Sequence, residues 1–592
     1  MRLPEKEKNH IRNNINKWYY DTLAYFLIFL IALAVLAPLI ISNQWPHTHE
    51  DIRYLLLFDE FKDAVLKGIV YPRWLPDACG GYGYPTFLFY QPGFFFIALP
   101  FSFLPGYPLL TMYATLVLLF FAGGVGVYKL CRETAGLLVG LFCSVLYLLT
   151  PYLYVNLYVR GALSELAAML LCPWAVYFLI TLKKRVETSS FQMGAMLGIA
   201  ISFLVIIISH PAVAMFFCVA FSLLAAYLSL DMGLMKRKFL LGVLLSVGLG
   251  LILSSPYWTT VLQMKRYVNL EPAISGPYLA KNHVVYLPQF FSRFWGFGLS
   301  VPGAAGDGMP FQLGLPHFLL AIIGILWSRK DKLIQGAFTL YILLILLMSN
   351  FSSILWEKVN LLRYVQFPWR ILSVTALLQI ICISGIKNIL IAEKHKWIKK
   401  AILLCILIAS LAWYSKEFQV NNYPIDGRRA LESYRQIKLP GFYTYTCENE
   451  FMPKTASLKN IEPRRNAPLL LLNPPGEIKE LNGSSHYRMR YQIINKVPTV
   501  VTINQFYMPG WRIIIDGKDV PPAELENHLT KNGLMQFYLL PEKCHYIEAF
   551  YGGPPGAPMR NSVVLLALLA FVAFYYRSYR LPKIYEKQNK RR

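Results

Sequence analysis

The chain has 592 residues, of which 55% are hydrophobic and 15% aromatic, and its mean hydropathy is +0.41. This composition is too apolar for an ordinary soluble protein. The formal net charge of +25 would suit a nucleic-acid partner. The basic residues fall instead in short groups between apolar runs, which is typical of membrane proteins and argues against nucleic acid.

Apolar stretches of about 20 residues, long enough to cross a bilayer as helix, recur along the sequence. They do not alternate as barrel strands do. Basic groups occupy alternate loops, so these loops are expected to be cytoplasmic. The sequence predicts a polytopic α-helical protein of the plasma (inner) membrane, with both termini cytoplasmic and the first run retained as an anchor. About twelve transmembrane helices are predicted near 22–42, 108–128, 136–154, 163–182, 191–209, 212–230, 239–261, 313–328, 333–349, 370–390, 399–415 and 562–576.

This topology predicts a transmembrane domain over 1–415, with a large first outer loop at 43–107. A β-rich extracytoplasmic domain follows at 416–561, and 562–592 forms the last helix and a basic tail. Alternating stretches such as "TVVTINQFY" predict strands, and Asp516-Gly517 predicts a hairpin turn, so a β-sandwich-like fold is expected. Cys447 and Cys544 could bridge this domain in an oxidising compartment, or remain free.

A proline-rich apolar segment, Thr86–Gly106, lies inside the first outer loop. If it crossed the membrane, Lys129 and Arg132 would face outward, against the charge rule. We therefore expect it to lie on or dip into the outer surface. Its apolar face would then border a groove for a lipid chain.

The first outer loop begins with a dense polar cluster, "HTHEDIR", where the first span leaves the membrane. A carboxylate there could act as a general base on a hydroxyl. The cluster could also be a solvated interfacial loop, or His47, His49 and Asp51 could bind a divalent metal. No metal-binding, phosphate-binding or dinucleotide-binding motif accompanies it.

Further charged residues fall at the outer ends of the predicted spans, where unpaired charge is costly. Arginine matches phosphate oxygens with two parallel hydrogen bonds, so these groups could hold an anionic substrate. For Arg160 and Glu165 a purely structural ion pair is the alternative, and for His210 helix packing is. The residues assigned to substrate binding are His49, Arg53, Arg73, Arg160, Glu165, His210, Arg266, Arg363 and Arg370.

The first loop resembles that of GT-C glycosyltransferases, in which a carboxylate meets the acceptor hydroxyl and the sugar arrives on a polyprenyl phosphate. The motifs "HEDIRY", "KGIVYPRWLPDACGGYGYPTFLFYQPG", "VRGALSELAAMLLCPW", "VQFPWR" and "FYMPGWRIIIDGK" resemble the bacterial 6-pyruvoyl-tetrahydropterin-synthase-related membrane family. That family carries a His-Asp pair upstream of a glycine, and His49-Glu50 takes its place relative to Gly68. The resemblance implies Glu50 as the base, with Asp51 as competitor, orienting group or metal ligand.

The resulting hypothesis is a glycosyltransferase that moves a sugar from a polyprenyl-phosphate-linked donor to an extracytoplasmic glycan, lipid or protein. Glu50 and Asp51 are its expected catalytic residues. No cofactor is certain, although a divalent metal would help to neutralise the leaving phosphate. The alternatives are a transporter or flippase of a lipid-linked or anionic substrate, which would place charges near the bilayer midplane, and a non-catalytic scaffold for envelope polymers.

Overall fold

The computed structural model describes residues 5–188, 192–303, 306–391, 396–418, 420, 451–457 and 470–575. Apolar helices dominate the part before residue 418, and strands dominate the part after residue 470. The main helices are Glu5–Ser42, Leu109–Ala135, Leu137–Leu148, Leu163–Glu187, Met193–Ser209, Pro211–Leu228, Lys236–Leu253, Ser255–Met264, Leu315–Trp327, Lys332–Met348, Leu372–Ile383, Lys396–Trp413 and Ala557–Tyr575.

Local residue choice explains where several of these helices begin. Gly136 has a φ of +92°, which separates the helix ending at Ala135 from the one beginning at Leu137. Pro211 begins its helix because the first turn needs no backbone N–H from it. Shorter connecting helices are Pro151–Tyr154, Lys265–Tyr267, Glu271–Ile274, Gly276–Tyr278, Ala280–His283, Leu287–Phe290, Asn350–Ser352, Ser353–Lys358, Asn360–Arg363, Pro368–Ile371 and Lys387–Ile391.

Within the described residues, five helices are long and apolar enough to cross a membrane, or up to seven if each of two bent pairs is one span. The five are Trp18–Ser42, Leu109–Ala135, Leu163–Glu187, Pro211–Leu228 and Pro368–Ile389. Four shorter apolar helices accompany them, among them Met193–Ser209 and Lys332–Met348. A helical membrane protein with several apolar spans is therefore confirmed, and the count of twelve stays a prediction.

The first outer loop is a packed structure with helices of its own. The helix Arg53–Leu66 is followed by the short helices Ala78–Gly81, Thr86–Phe89, Gly93–Ala98 and Leu99–Phe101. Aromatic rings join the two parts: Phe61 meets Phe87 at 5.0 Å, and Tyr54 stacks on Phe95 at 5.7 Å. Phe87, Phe94 and Phe95 are fully buried in protein. The prediction that the apolar face of Thr86–Gly106 borders a lipid groove was therefore wrong for these rings, because they form the core of the loop.

In the described part of the C-terminal region, eight strands form two antiparallel sheets. The three-stranded sheet has the order β1-β4-β7 and the five-stranded sheet the order β2-β3-β8-β5-β6. The strands are β1 (Leu470–Asn473), β2 (Glu477–Glu480), β3 (Arg488–Asn495), β4 (Thr499–Phe506), β5 (Trp511–Ile515), β6 (Lys518–Asp519), β7 (Leu534–Leu539) and β8 (Glu542–Tyr551). A β-rich region is confirmed, and a sandwich arrangement stays a prediction.

The predicted hairpin turn is confirmed. Asp516 and Gly517 join β5 to β6 with φ values of 49° and 81°. Two consecutive positive φ values are what the tight two-residue hairpin turn requires, and Asp-Gly is a preferred pair for it. The turn reverses the chain, so that β6 pairs with β5 at the edge of the five-stranded sheet.

The β region is fastened to the first outer loop by Gln505, which is fully buried near the end of β4. Its side-chain oxygen accepts a hydrogen bond from the Trp74 indole at 2.8 Å, and its nitrogen donates to the carbonyl oxygens of Pro76 and Gly81. The N–H of Phe506 donates to the Tyr82 carbonyl oxygen at 2.8 Å. The loop and the β region thus share one interface.

The proposed pairing of Cys447 with Cys544 was wrong. Cys544 is a free thiol, and its sulfur accepts a hydrogen bond from Gln492 at 3.0 Å. Cys447 lies outside the described residues. Cys79, in the first outer loop, is disulfide-bonded instead. A disulfide favours an oxidising compartment, which agrees with an extracytoplasmic position for this loop.

Candidate functional site

The acidic turn, which we define as residues 47–53, leads from the first membrane helix into the helix Arg53–Leu66. Asp51 has a left-handed backbone with a φ of 45°, and its N–H donates to the Thr48 hydroxyl oxygen at 3.0 Å. The indole of Trp45 donates to the Asp51 carbonyl oxygen at 2.8 Å. Side-chain and backbone contacts therefore hold the turn in one shape.

The carboxylate of Glu50 lies at the rim of this turn. Its side chain is 29% exposed, and Arg53 contacts its Oε2 at 3.3 Å. The guanidinium of Arg53 also lies 5.0 Å from the centre of the Tyr90 ring, which limits its movement. Asp51 is more enclosed, with a side chain 14% exposed and an oxygen 3.4 Å from His47 Nδ1. Of the two carboxylates, Glu50 is the more open to an incoming hydroxyl.

The backbone of the acidic turn is bonded to the segment that carries Arg160. The N–H of His49 donates to the Val159 carbonyl oxygen and the N–H of Glu50 to the Arg160 carbonyl oxygen, both at 3.0 Å. Gly161 makes the approach possible, because a Cβ there would lie 2.2 Å from the Thr48 hydroxyl oxygen. The turn is thereby fixed directly beside Arg160.

A second bridge joins the two segments through Tyr54. Its hydroxyl oxygen accepts a hydrogen bond from the backbone N–H of Ser164 at 2.9 Å, and the Tyr90 hydroxyl donates to it at 3.1 Å. Ser164 lies in the first turn of the helix Leu163–Glu187, where backbone N–H groups lack partners within the helix. Tyr54 supplies one of these partners.

Beneath the acidic turn lies a buried ion cluster, which we define as Glu165 with Arg160, His210, Arg370 and their hydroxyl partners. Glu165 is fully buried and its carboxylate contacts Arg160 at 2.7 Å. The contact to Arg370 Nε is 3.6 Å and that to His210 Nε2 is 3.7 Å. Charges this far from water require such partners.

Two hydroxyl groups complete the surroundings of Glu165. Tyr152 donates to Oε1 at 2.6 Å and Ser373 donates to the same oxygen at 2.9 Å. Arg160 also donates to the Tyr152 hydroxyl at 3.1 Å, and its guanidinium lies 4.5 Å from the centre of the Trp369 ring. The sequence analysis missed Tyr152 and Ser373, because apolar neighbours surround both and neither stands out by charge.

The charged members of the ion cluster come from the starts of helices. Glu165 is the third residue of Leu163–Glu187, His210 caps Pro211–Leu228, and Arg370 lies in the short helix Pro368–Ile371. Arg160 follows a π-helical turn, Val155–Val159, a local widening often found at functional sites. The cluster therefore lies at the ends of the apolar helices and not at their centres.

Electrostatics separate the roles within the cluster. Burial lowers the pKa of His210 to about 3, so its imidazole is neutral at pH 7 and adds no charge. Although burial opposes it, the neighbouring Glu165, Tyr152 and Glu50 raise the pKa of Arg160. Glu50 therefore lies within electrostatic reach of the buried guanidinium.

The remaining predicted arginines do not join this cluster. Arg266 is exposed and lies 4.9 Å from the centre of its neighbour's ring, Tyr267. Arg363 is half-buried at the end of the helix Asn360–Arg363, and within the described chain no side-chain contact joins it to Glu165. Arg73 lies against the β region, where it lines a separate cavity.

The predicted metal site does not form. Within the described parts of the chain, no group of three or more His, Cys, Asp or Glu side chains is arranged to hold a metal ion. His47 contacts Asp51, but Nε2 of His49 lies 3.1 Å from the Phe297 carbonyl oxygen. Because His49 is held by another segment, the three predicted ligands do not fit a divalent cation.

The sequence and the fold were compared with those of known proteins. Residues 87–419 match the family model described as the 6-pyruvoyl-tetrahydropterin synthase related domain, a membrane protein. No curated protein matches the chain. The fold is similar to the cryo-EM structure of the arabinofuranosyltransferase AftD from mycobacteria, with 17% sequence identity and a TM-score of 0.41. That similarity covers 68% of this chain and 27% of the other, so this chain spans about a quarter of that longer protein.

Proposed function

We propose that this chain, which belongs to the 6-pyruvoyl-tetrahydropterin synthase related family of membrane proteins, is a glycosyltransferase that uses a polyprenyl-phosphate-linked sugar. The acceptor is an extracytoplasmic glycan, lipid or protein. The observation that carries the proposal is the position of Glu50. Its carboxylate is open at the rim of a fixed turn, and Arg53 and the buried Arg160 lie beside it.

In the proposed reaction, an acceptor hydroxyl oxygen forms a bond to the anomeric carbon of the sugar. The bond from that carbon to the phosphate oxygen breaks, and the polyprenyl phosphate leaves as an anion. Glu50 takes the hydroxyl proton, which is the role of a general base. Arg53 is close enough to stabilise negative charge that develops on the leaving phosphate.

Two further observations support an outward-facing transferase. The disulfide at Cys79 agrees with an oxidising compartment outside the cytoplasm. There the donor must already have crossed the bilayer, and a lipid-linked sugar satisfies this requirement. The position of Glu165 and Arg370 at helix starts, away from helix centres, argues against a transporter with charges at the bilayer midplane.

The test is a set of single variants of the purified full-length protein in liposomes, supplied with synthetic polyprenyl-phosphate sugars. The readout is the release of polyprenyl phosphate. A membrane extract supplies the acceptor, so the acceptor need not be identified in advance. Glu50→Gln should reduce release by about 100-fold or more, because a general base contributes about 10²–10⁴-fold. Asp51→Asn should have a smaller effect, since its carboxylate is more enclosed.

The matched control is Asp63→Asn, which removes a carboxylate from the helix that follows the acidic turn. Asp63 is 48% exposed and pairs with Lys67 at 2.8 Å, away from the acidic turn. Its variant should keep full activity. Full activity in Glu50→Gln, Asp51→Asn and the double variant would rule out the acidic turn as the source of the base.

A further inference from the structure

A cavity of about 220 Å³ lies between the first outer loop and the β region, apart from the acidic turn. The loop contributes the segment Ile69–Trp74, and the β region contributes the residues around β5 and the end of β8. This volume is smaller than that of a typical pocket for a drug-sized ligand and suits a single sugar-sized unit. The lining residues are Ile69, Tyr71, Arg73, Trp74, His486, Tyr487, Trp511, Tyr551, Gly552 and Gly553.

The walls of this cavity are aromatic and fixed in place. Trp74 stacks on Tyr551 with ring centres 5.6 Å apart, and Trp511 meets Trp74 edge-on at 5.7 Å. The Trp74 indole is held by Gln505, and the Tyr551 hydroxyl donates to the Pro509 carbonyl oxygen at 3.1 Å. Rigid aromatic faces of this kind can stack on the apolar face of a ring-shaped ligand.

Hydrogen-bond donors without partners give the cavity its chemistry. Arg73 Nε and Trp511 Nε1 are both buried, and neither has a hydrogen-bond partner among the described residues. Buried donors are rarely left in this state, because a buried N–H without a partner has lost its hydrogen bonds to water and gained none in return. A third buried donor without a partner in the described chain, Arg560 Nε, belongs to the adjacent helix Ala557–Tyr575. Arg73 and Trp511 both line the cavity, so a ligand that offers acceptor oxygens could satisfy their donors after a small movement of these side chains.

The charge of the cavity selects the ligand further. The Arg73 guanidinium lies 4.1 Å from the centre of the Tyr71 ring, and burial lowers the pKa of Arg73. In the part of the chain that the structure describes, no carboxylate is paired with it. The lining residues include no aspartate or glutamate, and Asp77, which does not line the cavity, contacts the lining residue His486 at 2.6 Å. A quaternary ammonium ligand, which aromatic cages often bind, would be repelled by Arg73.

We propose that this cavity binds a monosaccharide unit that carries a phosphate or carboxylate group. The sugar ring packs against the aromatic wall that contains Trp74 and Tyr551, and its anionic group accepts hydrogen bonds from Arg73 and Trp511. On the basis of the proposed function, this unit belongs to the acceptor, which would be held by the β region while its hydroxyl reaches Glu50.

The test measures binding to the full-length protein in nanodiscs of phosphatidylcholine, with tryptophan fluorescence and calorimetry as readouts. The probes are glucose 6-phosphate, glucuronic acid, glucose and inorganic phosphate. We expect the two acidic sugars to bind at least about 10-fold more tightly than glucose or phosphate alone. Equal affinity for inorganic phosphate and glucose 6-phosphate, or no binding of either acidic sugar, would overturn the proposal. Loss of sugar binding when phosphatidylglycerol is added would also overturn it, in favour of a lipid headgroup.

Two variants test the residues that carry the proposal. Arg73→Gln should weaken the binding of glucose 6-phosphate by about 10-fold or more, since charged hydrogen bonds are strong. Trp511→Phe keeps an aromatic side chain and removes the indole N–H, so a smaller loss is expected. The control is Arg488→Gln, an exposed arginine of β3 that pairs with Glu548, and its affinity should be unchanged. If Arg73→Gln and Trp511→Phe both bound glucose 6-phosphate as tightly as the wild-type protein does, the proposed contacts would be overturned.

Glu50→Gln separates this proposal from the proposed function. The cavity does not contain Glu50, so the variant should bind glucose 6-phosphate with unchanged affinity even where transfer is lost. A loss of binding as large as that of Arg73→Gln would show that the two regions form a single site and would overturn a separate one. Full transfer in Glu50→Gln with intact sugar binding would remove the proposed base and leave the binding site standing.

Discussion

Glu50 and Glu165 are both carboxylates near the start of a helix, but they occupy opposite environments. Glu165 is fully buried and has two arginines, a histidine and two hydroxyl groups around it. Glu50 is 29% exposed, and Arg53 is its side-chain partner in the described chain. A carboxylate with every oxygen occupied is suited to holding helices together. One with an open oxygen can take part in proton transfer, which is the role proposed for Glu50.

The largest effect on stability should come from Glu165→Ala. The substitution leaves Arg160 buried without its counter-charge, which typically costs about 3–5 kcal/mol. We expect a corresponding fall in the free energy of unfolding, measured by denaturation in detergent micelles, together with low expression. Asp63→Ala, which removes an exposed carboxylate, should change the free energy by less than about 0.5 kcal/mol. Equal stability of Glu165→Ala and Asp63→Ala would contradict a structural role for the buried carboxylate.

Gly161→Ala tests the contact that joins the two regions. Gly161 has a φ of +67°, and an added Cβ would meet the Thr48 hydroxyl oxygen at 2.2 Å. Backbone strain alone should cost about 1–2 kcal/mol, and displacement of the acidic turn should lower transfer further. Gly136→Ala is the control, because its φ is +92° and nothing lies within 4 Å of an added Cβ. It should lose similar stability from strain but keep its activity, and equal activity losses would contradict the prediction.

Tyr54→Phe should have an intermediate effect. It removes the oxygen that accepts the Ser164 N–H, so a buried donor loses its partner at a cost of about 1 kcal/mol or more. The melting temperature in micelles measures this loss. The hydroxyl of Tyr257, which donates to the Phe89 carbonyl oxygen, lies outside this bridge and outside the cavity. Tyr257→Phe should therefore leave the transfer reaction intact, whereas Tyr54→Phe should weaken it.

The smallest effect is expected from an ion network on the surface of the β region. Hydrogen bonds from Arg488 and Arg490 lower the pKa of Glu548 to about 2. Since its folded pKa is below the unfolded value, its contribution is present above about pH 4.5 and is lost as the pH falls towards 2. Glu548→Gln should remove this part of the acid sensitivity. At pH 7 it should lower the free energy of unfolding by less than about 1 kcal/mol, because exposed ion pairs are weak. A larger loss of stability would contradict the prediction and would mean that this network contributes as much as the buried ion cluster does.

The sequence identified the charged members of the ion cluster because outward charges depart from the usual distribution of membrane loops. Arg160, Glu165, His210 and Arg370 do converge, although 210 positions separate the first from the last. Charge alone could not tell which residues meet: Arg266 and Arg363 do not contact Glu165 in the described chain, and their role in substrate binding stays a prediction. The hydroxyl partners Tyr152 and Ser373 gave no signal, because a single polar atom among apolar neighbours resembles ordinary helix sequence.

The helical class, the β-rich region and the Asp516-Gly517 turn were predictable because each depends on local composition. The state of the cysteines was not predictable, because tertiary contacts decide that Cys544 is a free thiol and that Cys79 is disulfide-bonded. The same applies to Arg73, whose neighbours in the β region lie more than 400 positions away along the chain. Their proximity depends on how Gln505 joins the loop to the β region, and no sequence period records that contact.

The bond between Trp74 and Gln505 has a consequence for the order in which the protein matures. During synthesis the first loop leaves the ribosome long before Gln505 is made, and domains tend to fold in the order of their translation. Until the C-terminal strands have been made, the loop lacks the partner that fixes its indole. Newly made chains should therefore pass through a stage with the helices inserted and the loop unfinished, and a premature stop before residue 505 would leave them there.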